Sequence, residues 1–291
     1  MIDKKKYYKH NNKSFIVIEG EERNSFLQGL ISNDLNKIDE KNSIYSSLLT
    51  PQGKILYDFF ISNYQNSYLI ECSTKIVKDL IQKLSIYKLR SNVNIYLKKE
   101  FDSFVIRKTF YKDLKKISKD MDIIFFIDPR FDLSLMKFYC NKFDFKKIKK
   151  QLSLDYLKKN EFEDLRLKNT IPDFDFDSNN QKSLLLELRF DELNGIDWEK
   201  GCYIGQELTS RTKFRGNLKK KLFGIEISGF INKKKEVYYC EKLVGEIKSF
   251  NKKFGIAILN IEATKNCITN KEFMICDKAK IKPFIPKWVK L

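Results

Sequence analysis

The sequence has one histidine, His10, in a polar N-terminal run. A single imidazole argues against a histidine metal site, a His-activated nucleophile or a histidine general base, so any chemistry falls to carboxylates, Lys, Tyr or Cys. The six cysteines, at 72, 140, 202, 240, 267 and 276, include no CxxC pair. That spacing argues against a self-contained zinc or cluster site. No apolar run nears the roughly 18 residues needed to span a bilayer. The opening MIDKKKYYKHNNK has neither a signal-peptide core nor an Arg-rich amphipathic import helix. These absences together predict a cytoplasmic chain with reduced thiols and no membrane partner.

Arginine is scarce as well: eight of 56 basic residues, in a chain of formal net charge +18. Such a charge ordinarily points to an anionic partner. Lysine spread evenly among abundant Asn and Ile also fits biased genome composition, and a polyglutamylated cofactor would use the same charge. No arginine cluster or aromatic-interleaved basic patch is visible in the sequence, which leaves nucleic acid the less favoured partner.

At 291 residues, with 42% hydrophobic residues, 24 Phe and 14 Tyr, the chain is long enough for two or three folded domains. Its most concentrated chemistry is KGCYIGQEL, Lys200 to Leu208, which puts a cation, a thiol, a phenol, an amide and a carboxylate in nine residues. Gly201 and Gly205 permit a tight turn or a close approach. A helix is predicted to start at Gly205, so Cys202 is expected near a helix N-terminus and beside Lys200, both of which lower a thiol's pKa. Taken alone, the same residues also read as a turn joining a loop to a helix.

Lys200 to Glu207 resembles the signature of the YgfZ family, folate-binding relatives of the glycine-cleavage T-protein that include mitochondrial iron–sulfur assembly factors. ERNSFLQGLISNDL resembles the family's first landmark. GKILYDFFIS resembles a T-protein strand whose aspartate faces the reactive nitrogens of tetrahydrofolate, and Asp58 matches that position. By alternation alone, Asp58 would simply face solvent. EDLRLKNTIPDF resembles Leu-Arg-Ile-x-x-Gly-Ile-Pro, with Thr170 in place of the glycine; Arg166 is either a folate contact or a surface helix cation. LLLELRFDELNGIDW resembles the approach to the signature, with Leu185 and Arg189 replacing the usual Pro and Asn.

The resemblance implies an α+β fold, a T-protein-like folate-binding body of two mixed-sheet units over residues 1–217, and a small C-terminal β-barrel over 218–291. It implies tetrahydrofolate or a derivative as cofactor, with Asn33, Asp34, Asp58, Arg166, Tyr203, Gln206 and Glu207 as binding residues. Cys202, with Lys200, becomes a reactive thiol or a ligand to a transient iron–sulfur cluster. One cysteine cannot hold a cluster alone, so an iron–sulfur carrier or a cluster-containing client must supply further thiols. The implied function is a folate-binding accessory protein for iron–sulfur cluster assembly or repair, without independent turnover. A folate-dependent aminomethyltransferase or other one-carbon transferase is the first alternative, although the T-protein Gly-Tyr-Thr-Gly-Glu run is missing between Asp128 and Phe145. A tRNA-modification accessory, resting on charge, is the second.

Among local expectations are a helix over Thr74–Arg90 capped by Ser73 or Thr74, and a helix over Ser153–Lys168. Cys72, Cys140, Cys240 and Cys267 are expected in or beside strands and slow to react, with Cys276 intermediate.

Overall fold

The computed structural model of this protein describes residues 2, 5–216, 218–232 and 234–289. The boundary expected near Asn217 therefore lies outside the described residues. The chain divides into two compact units. The first comprises Met1–Pro51, Leu56–Lys159 and Leu193–Ile204, the second Gln52–Ile55, Asn160–Glu192 and Gly205–Leu291.

The first unit runs β1 (Lys6–His10), β2 (Lys13–Glu19), α1 (Arg23–Gln28), β3 (Ile44–Leu49), β4 (Ile55–Tyr64), β5 (Ser67–Ser73), α2 (Val77–Lys88), β6 (Asn94–Lys98) and β7 (Asp102–Arg107). It continues with α3 (Tyr111–Ile117), β8 (Ile123–Ile127), β9 (Leu135–Cys140), α4 (Lys142–Gln151) and β10 (Asp155–Tyr156). Two five-stranded sheets form, in the orders β3-β4-β5-β2-β6 and β10-β1-β7-β9-β8. Each buries one face under helices. Ile16, Ile18, Ile61 and Ile70 pack with Leu80 and Leu84 of α2 and with Leu27 of α1. Met136, Phe138 and Cys140 pack with Leu114 of α3 and Ile148 of α4. Full burial of side chains of this size contributes about 1.5–3 kcal/mol each.

Because side chains alternate along a strand, the other faces carry a different set. Phe15 meets Tyr139 at 4.9 Å between ring centroids, and Phe60 meets Phe126 at 6.0 Å, so the sheets face each other through aromatic rings.

The helix expected over Ser153–Lys168 is shorter. Ser153 takes φ +50°, and Asp155–Tyr156 pair in parallel with Lys6 and Tyr7 of β1, so helix begins only at Lys159. The helix expected from Thr74 begins at Val77, with Ile76 at its N-cap and no side-chain cap. Helix α4 was not foreseen, although Asn141 caps it by accepting from the Asp144 amide.

The second unit contains α5 (Lys159–Lys168), α6 (Phe174–Asp177), α7 (Gln206–Phe214), β11 (Lys220–Ser228), β12 (Glu236–Tyr239), β13 (Lys242–Phe250), β14 (Phe254–Asn260), α8 (Ile261–Thr269), β15 (Met274–Cys276) and β16 (Ala279–Phe284). Its six strands close into a barrel in the order β11-β14-β13-β12-β15-β16. Ile225, Val237, Ile247, Leu259 and Ile281 fill the interior, and α8 adds Cys267. Closure leaves no free sheet edge.

Thr170 and Arg189 both sit at positive φ, +54° and +61°, a region that Gly and Asn enter at lower cost.

Candidate functional site

The first unit brings together two segments far apart in sequence. The loop Leu193–Ile204 is bound to the end of α1 and the turn after it. Ser32 Oγ donates to Gly195 O at 2.7 Å, Asp197 N to Ser32 O at 3.0 Å, and Ile204 N to Gly29 O at 3.2 Å. Asn33 is 3% exposed, and its Nδ2 donates to Tyr45 O and Asn194 O, both at 2.8 Å. Its Oδ1 accepts from the Asp34 amide at 2.8 Å. Asp34 in turn accepts from Gln28 Nε2 at 2.7 Å and from the Asn36 amide. Both residues are thus committed to holding the turn; the folate contact expected of Asn33 would have to displace both amide donations.

Lys200 is also a clamp. Its buried Nζ donates to Gln28 O, Ile31 O and Asn33 O at 2.8, 2.7 and 2.9 Å, and lies 5.2 Å from the centre of the buried Tyr203 ring. Burial pushes its pKa down to about 8, against the pull of Asp34 and Asp197. The ammonium is directed at carbonyls, so Lys200 positions the loop and is not the cation beside the thiol that the sequence predicted.

Between these two anchors Gly201 and Cys202 are exposed. A Cβ built on Gly201 meets nothing within 4 Å. Of the two glycines only Gly205 requires its identity, at φ +81° as the N-cap of α7. The signature passes from the first unit to the second between Ile204 and Gly205. Gln206 opens α7 and is half-buried, while Glu207 lies on the surface and pairs with Arg211 at 2.9 Å.

Cys72, Cys140, Cys267 and Cys276 are buried; Cys240, expected to react slowly, is exposed. It lies beside β12, as expected, in the β12–β13 turn at φ +47°. Burial pushes the thiols of Cys140, Cys267 and Cys276 upward, so the intermediate reactivity expected of Cys276 is not supported. Among the described residues no group of three or more His, Cys, Asp or Glu side chains could hold a metal ion.

Arg166, in the second unit, is buried. It donates to Asp177 Oδ2 at 2.8 Å, Ile171 O at 3.1 Å, Ser249 Oγ at 3.1 Å and Glu163 at 3.0 Å. It therefore acts as a pin that ties α5 and α6 to β13 rather than as a surface cation, with four of its five N–H donors engaged.

Asp58 has different surroundings. It is half-buried on β4, and Tyr45 Oη donates to its Oδ2 at 2.8 Å. Burial, and next the Asp58 charge, hold the Tyr45 phenol protonated well above its ordinary range. Arg130 lies 5.3 Å from the centre of the Tyr45 ring and 4.9 Å from that of Phe60, gripped by Asp128 through two bonds of 3.0 and 2.8 Å. Behind it, Lys137 Nζ and Tyr139 Oη donate to Glu71 Oε2 at 2.5 and 2.9 Å, and Ser103 Oγ donates to Oε1 at 2.5 Å. Burial alone would raise Glu71; the charges of Lys137 and Lys13 and the hydrogen bonds from Lys137 and Ser103 together outweigh it and hold the carboxyl below its usual range. Burial lowers Lys137 and, with Lys137 nearby, holds His10 neutral well below the ordinary histidine range.

Burying this many charges is costly unless each is paired. The sequence signal for the cluster was a lone charge in each of two apolar strands, Glu71 in SYLIECS and Lys137 in LMKFYC.

Residues 219–291 match the family described as CAF17, C-terminal beta-barrel domain. The chain is 28% identical over 252 residues to the iron-sulfur cluster assembly factor IBA57 homolog, mitochondrial, of Dictyostelium discoideum, covering 75% of this chain and 61% of that protein. It is 27% identical to the Neurospora crassa counterpart, covering 74% and 52%, and 24% identical to the Mus musculus factor, covering 76% and 66%. The chain thus spans about half to two thirds of these relatives' length. The crystal structure of glycine cleavage system aminomethyltransferase T from Bartonella henselae superposes with a TM-score of 0.78 over 97% of this chain and 86% of that one, at 10% identity. The fold is therefore T-protein-like with a C-terminal barrel, and the sequence relatives are iron–sulfur cluster assembly factors.

Proposed function

We propose that this chain is a folate-binding accessory factor of the YgfZ kind that assembles or repairs iron–sulfur clusters through Cys202. The observation that carries the reading is the interlock of the two landmark segments, which fixes Lys200 and Tyr203 in the interior and leaves Cys202 exposed between them. A thiol on an anchored loop meets a partner without first ordering its own backbone. The cluster is cargo: Cys202 as thiolate supplies one iron ligand, and a carrier or client supplies the others.

The residues around Asp58 fit a pterin. A half-buried carboxylate accepts N–H groups, and the Tyr45 hydroxyl holds its orientation. When bound, tetrahydrofolate supplies a one-carbon carrier with reducing character. This chain's part is to orient the ring through Asp58, while Asp128 keeps Arg130 fixed and charged beside Tyr45.

Tetrahydrofolate tests this reading by thermal or chemical unfolding. A specific ligand stabilises by about 2.7 kcal/mol at a hundredfold excess over its dissociation constant. No shift at millimolar tetrahydrofolate removes folate from the proposal.

A further inference from the structure

The helix-covered face of the sheet that contains β9 carries a basic depression unconnected with the ionic cluster. It is a shallow, open depression of about 480 Å³, lined by Lys5, Lys146, Lys149, Lys150, Ser153, Leu154 and Asp155. All four lysines are exposed, and among the described residues Lys5, Lys146 and Lys150 have no ion-pair partner. With Asp155 as the one acid, the lining carries four positive charges against one negative. Lys149 and Lys150 lie in the last turn of α4, where they complement the helix dipole. That does not account for Lys146, a turn earlier, or for Lys5 on a different segment.

Two exposed rings lie on the same elements, outside the lining itself. Phe143 is 66% exposed, with the Lys147 ammonium 4.1 Å from its ring centre, and shares a helical stripe with Lys146, Lys147 and Lys150. On the other side Tyr156 is 48% exposed and touches Tyr7, whose ring centre is 5.8 Å from Lys149 Nζ. Ile148 of α4 packs against Met136, Phe138 and Cys140, whereas Lys137 and Tyr139 face Glu71, so the sheet itself separates this patch from the Asp58 region.

We infer that this depression is a binding site for single-stranded RNA. Flexible lysines meet phosphates as point charges, and exposed rings take stacked bases; the two together form the pattern of sequence-tolerant single-strand binding. Exposed rings favour bases over the carboxylates of an acidic protein.

The test is fluorescence anisotropy with a labelled oligouridylate across a salt series, using the full chain. Each phosphate neutralised contributes about 0.7 to the slope of log affinity against log salt for a single strand. The triple variant Lys146→Glu, Lys149→Glu, Lys150→Glu should lower that slope by about 2 and weaken binding at least a hundredfold at low salt. The control triple Lys265→Glu, Lys271→Glu, Lys278→Glu, with the same net charge, should bind within threefold of the parent. Phe143→Ala with Tyr156→Ala should weaken binding about tenfold or more with the slope unchanged. Unaltered thermal unfolding of each variant shows that the fold is intact. The inference is overturned if the parent chain does not bind the oligonucleotide at low salt, or if both charge triples weaken it equally. It is equally overturned if the ring variants bind as the parent does, or if polyglutamate or phosphatidylserine vesicles bind the patch while the oligonucleotide does not.

Discussion

Replacing Lys200 by methionine keeps the length and apolar stem of the side chain and removes its ammonium. In the folded chain that ammonium donates to three carbonyls, Gln28 O, Ile31 O and Asn33 O. At a net contribution of about 1–1.5 kcal/mol per bond, Lys200→Met should lose about 3–5 kcal/mol at neutral pH, a large share of a typical stability of about 5–15 kcal/mol. Titration gives the prediction a second, independent reading. Burial lowers the folded-state pKa of Lys200 from 10.5 to about 8. Between those values the unfolded chain holds more protons than the folded one, so the contribution of this position to stability rises with pH by about 1.4 kcal/mol per unit. The penalty for burying the charge is fully present below about pH 8 and is relieved toward pH 10.5. The methionine variant has nothing to titrate there. The stability gap between parent and variant should therefore widen by about 1.5 kcal/mol from pH 8 to 9.5. Urea unfolding followed by tryptophan fluorescence at several pH values measures it. A gap below 1 kcal/mol at neutral pH would refute the clamp. A gap that stays flat or narrows with pH would show that the carbonyls hold the proton against burial, and would refute the titration argument.

Two further outcomes follow from exposure and from hydrogen bonding. Limiting iodoacetamide on the folded chain should modify Cys202 and Cys240 and spare Cys72, Cys140, Cys267 and Cys276, as read by peptide mapping; protection of Cys202 would contradict its placement. Asp58→Asn should reduce the stabilisation by tetrahydrofolate by about 1.4 kcal/mol or more, a tenfold loss of affinity, while the unliganded melting temperature moves little because Tyr45 can still donate to the amide oxygen. A large fall in the unliganded melting temperature would make Asp58 a structural carboxylate.

Strands were legible where alternation and turns agreed, as in Lys13–Glu19 and the barrel hairpin Lys242–Asn260, because a two-residue period with one buried face leaves few other solutions. The helices α4 and α8 were not legible: KFDFKKIKKQ and IEATKNCIT bury few side chains and read as polar or mixed runs. The signature loop was visible as chemistry, but its geometry was not. Sequence adjacency suggested that Lys200 acts on Cys202, whereas the partners of Lys200 are carbonyls about 170 residues away. The same limit applies to Arg166, whose partner Ser249 lies 83 residues away. The place of Cys240 beside a strand was legible but its exposure was not, since the two-residue turn at Cys240 and Glu241, both at positive φ, carries the thiol out of the sheet pattern.

The most direct test of the account is the activity of iron–sulfur enzymes in cells that lack the native protein and carry either Cys202→Ser or Cys240→Ser. Both thiols are exposed, and serine nearly preserves their volume, so neither substitution should alter thermal unfolding appreciably. The account predicts that Cys240→Ser restores cluster-dependent activity to the parent level and that Cys202→Ser leaves it near that of the deletion. Full restoration by Cys202→Ser would contradict a role for the thiol and reduce the loop to a structural turn.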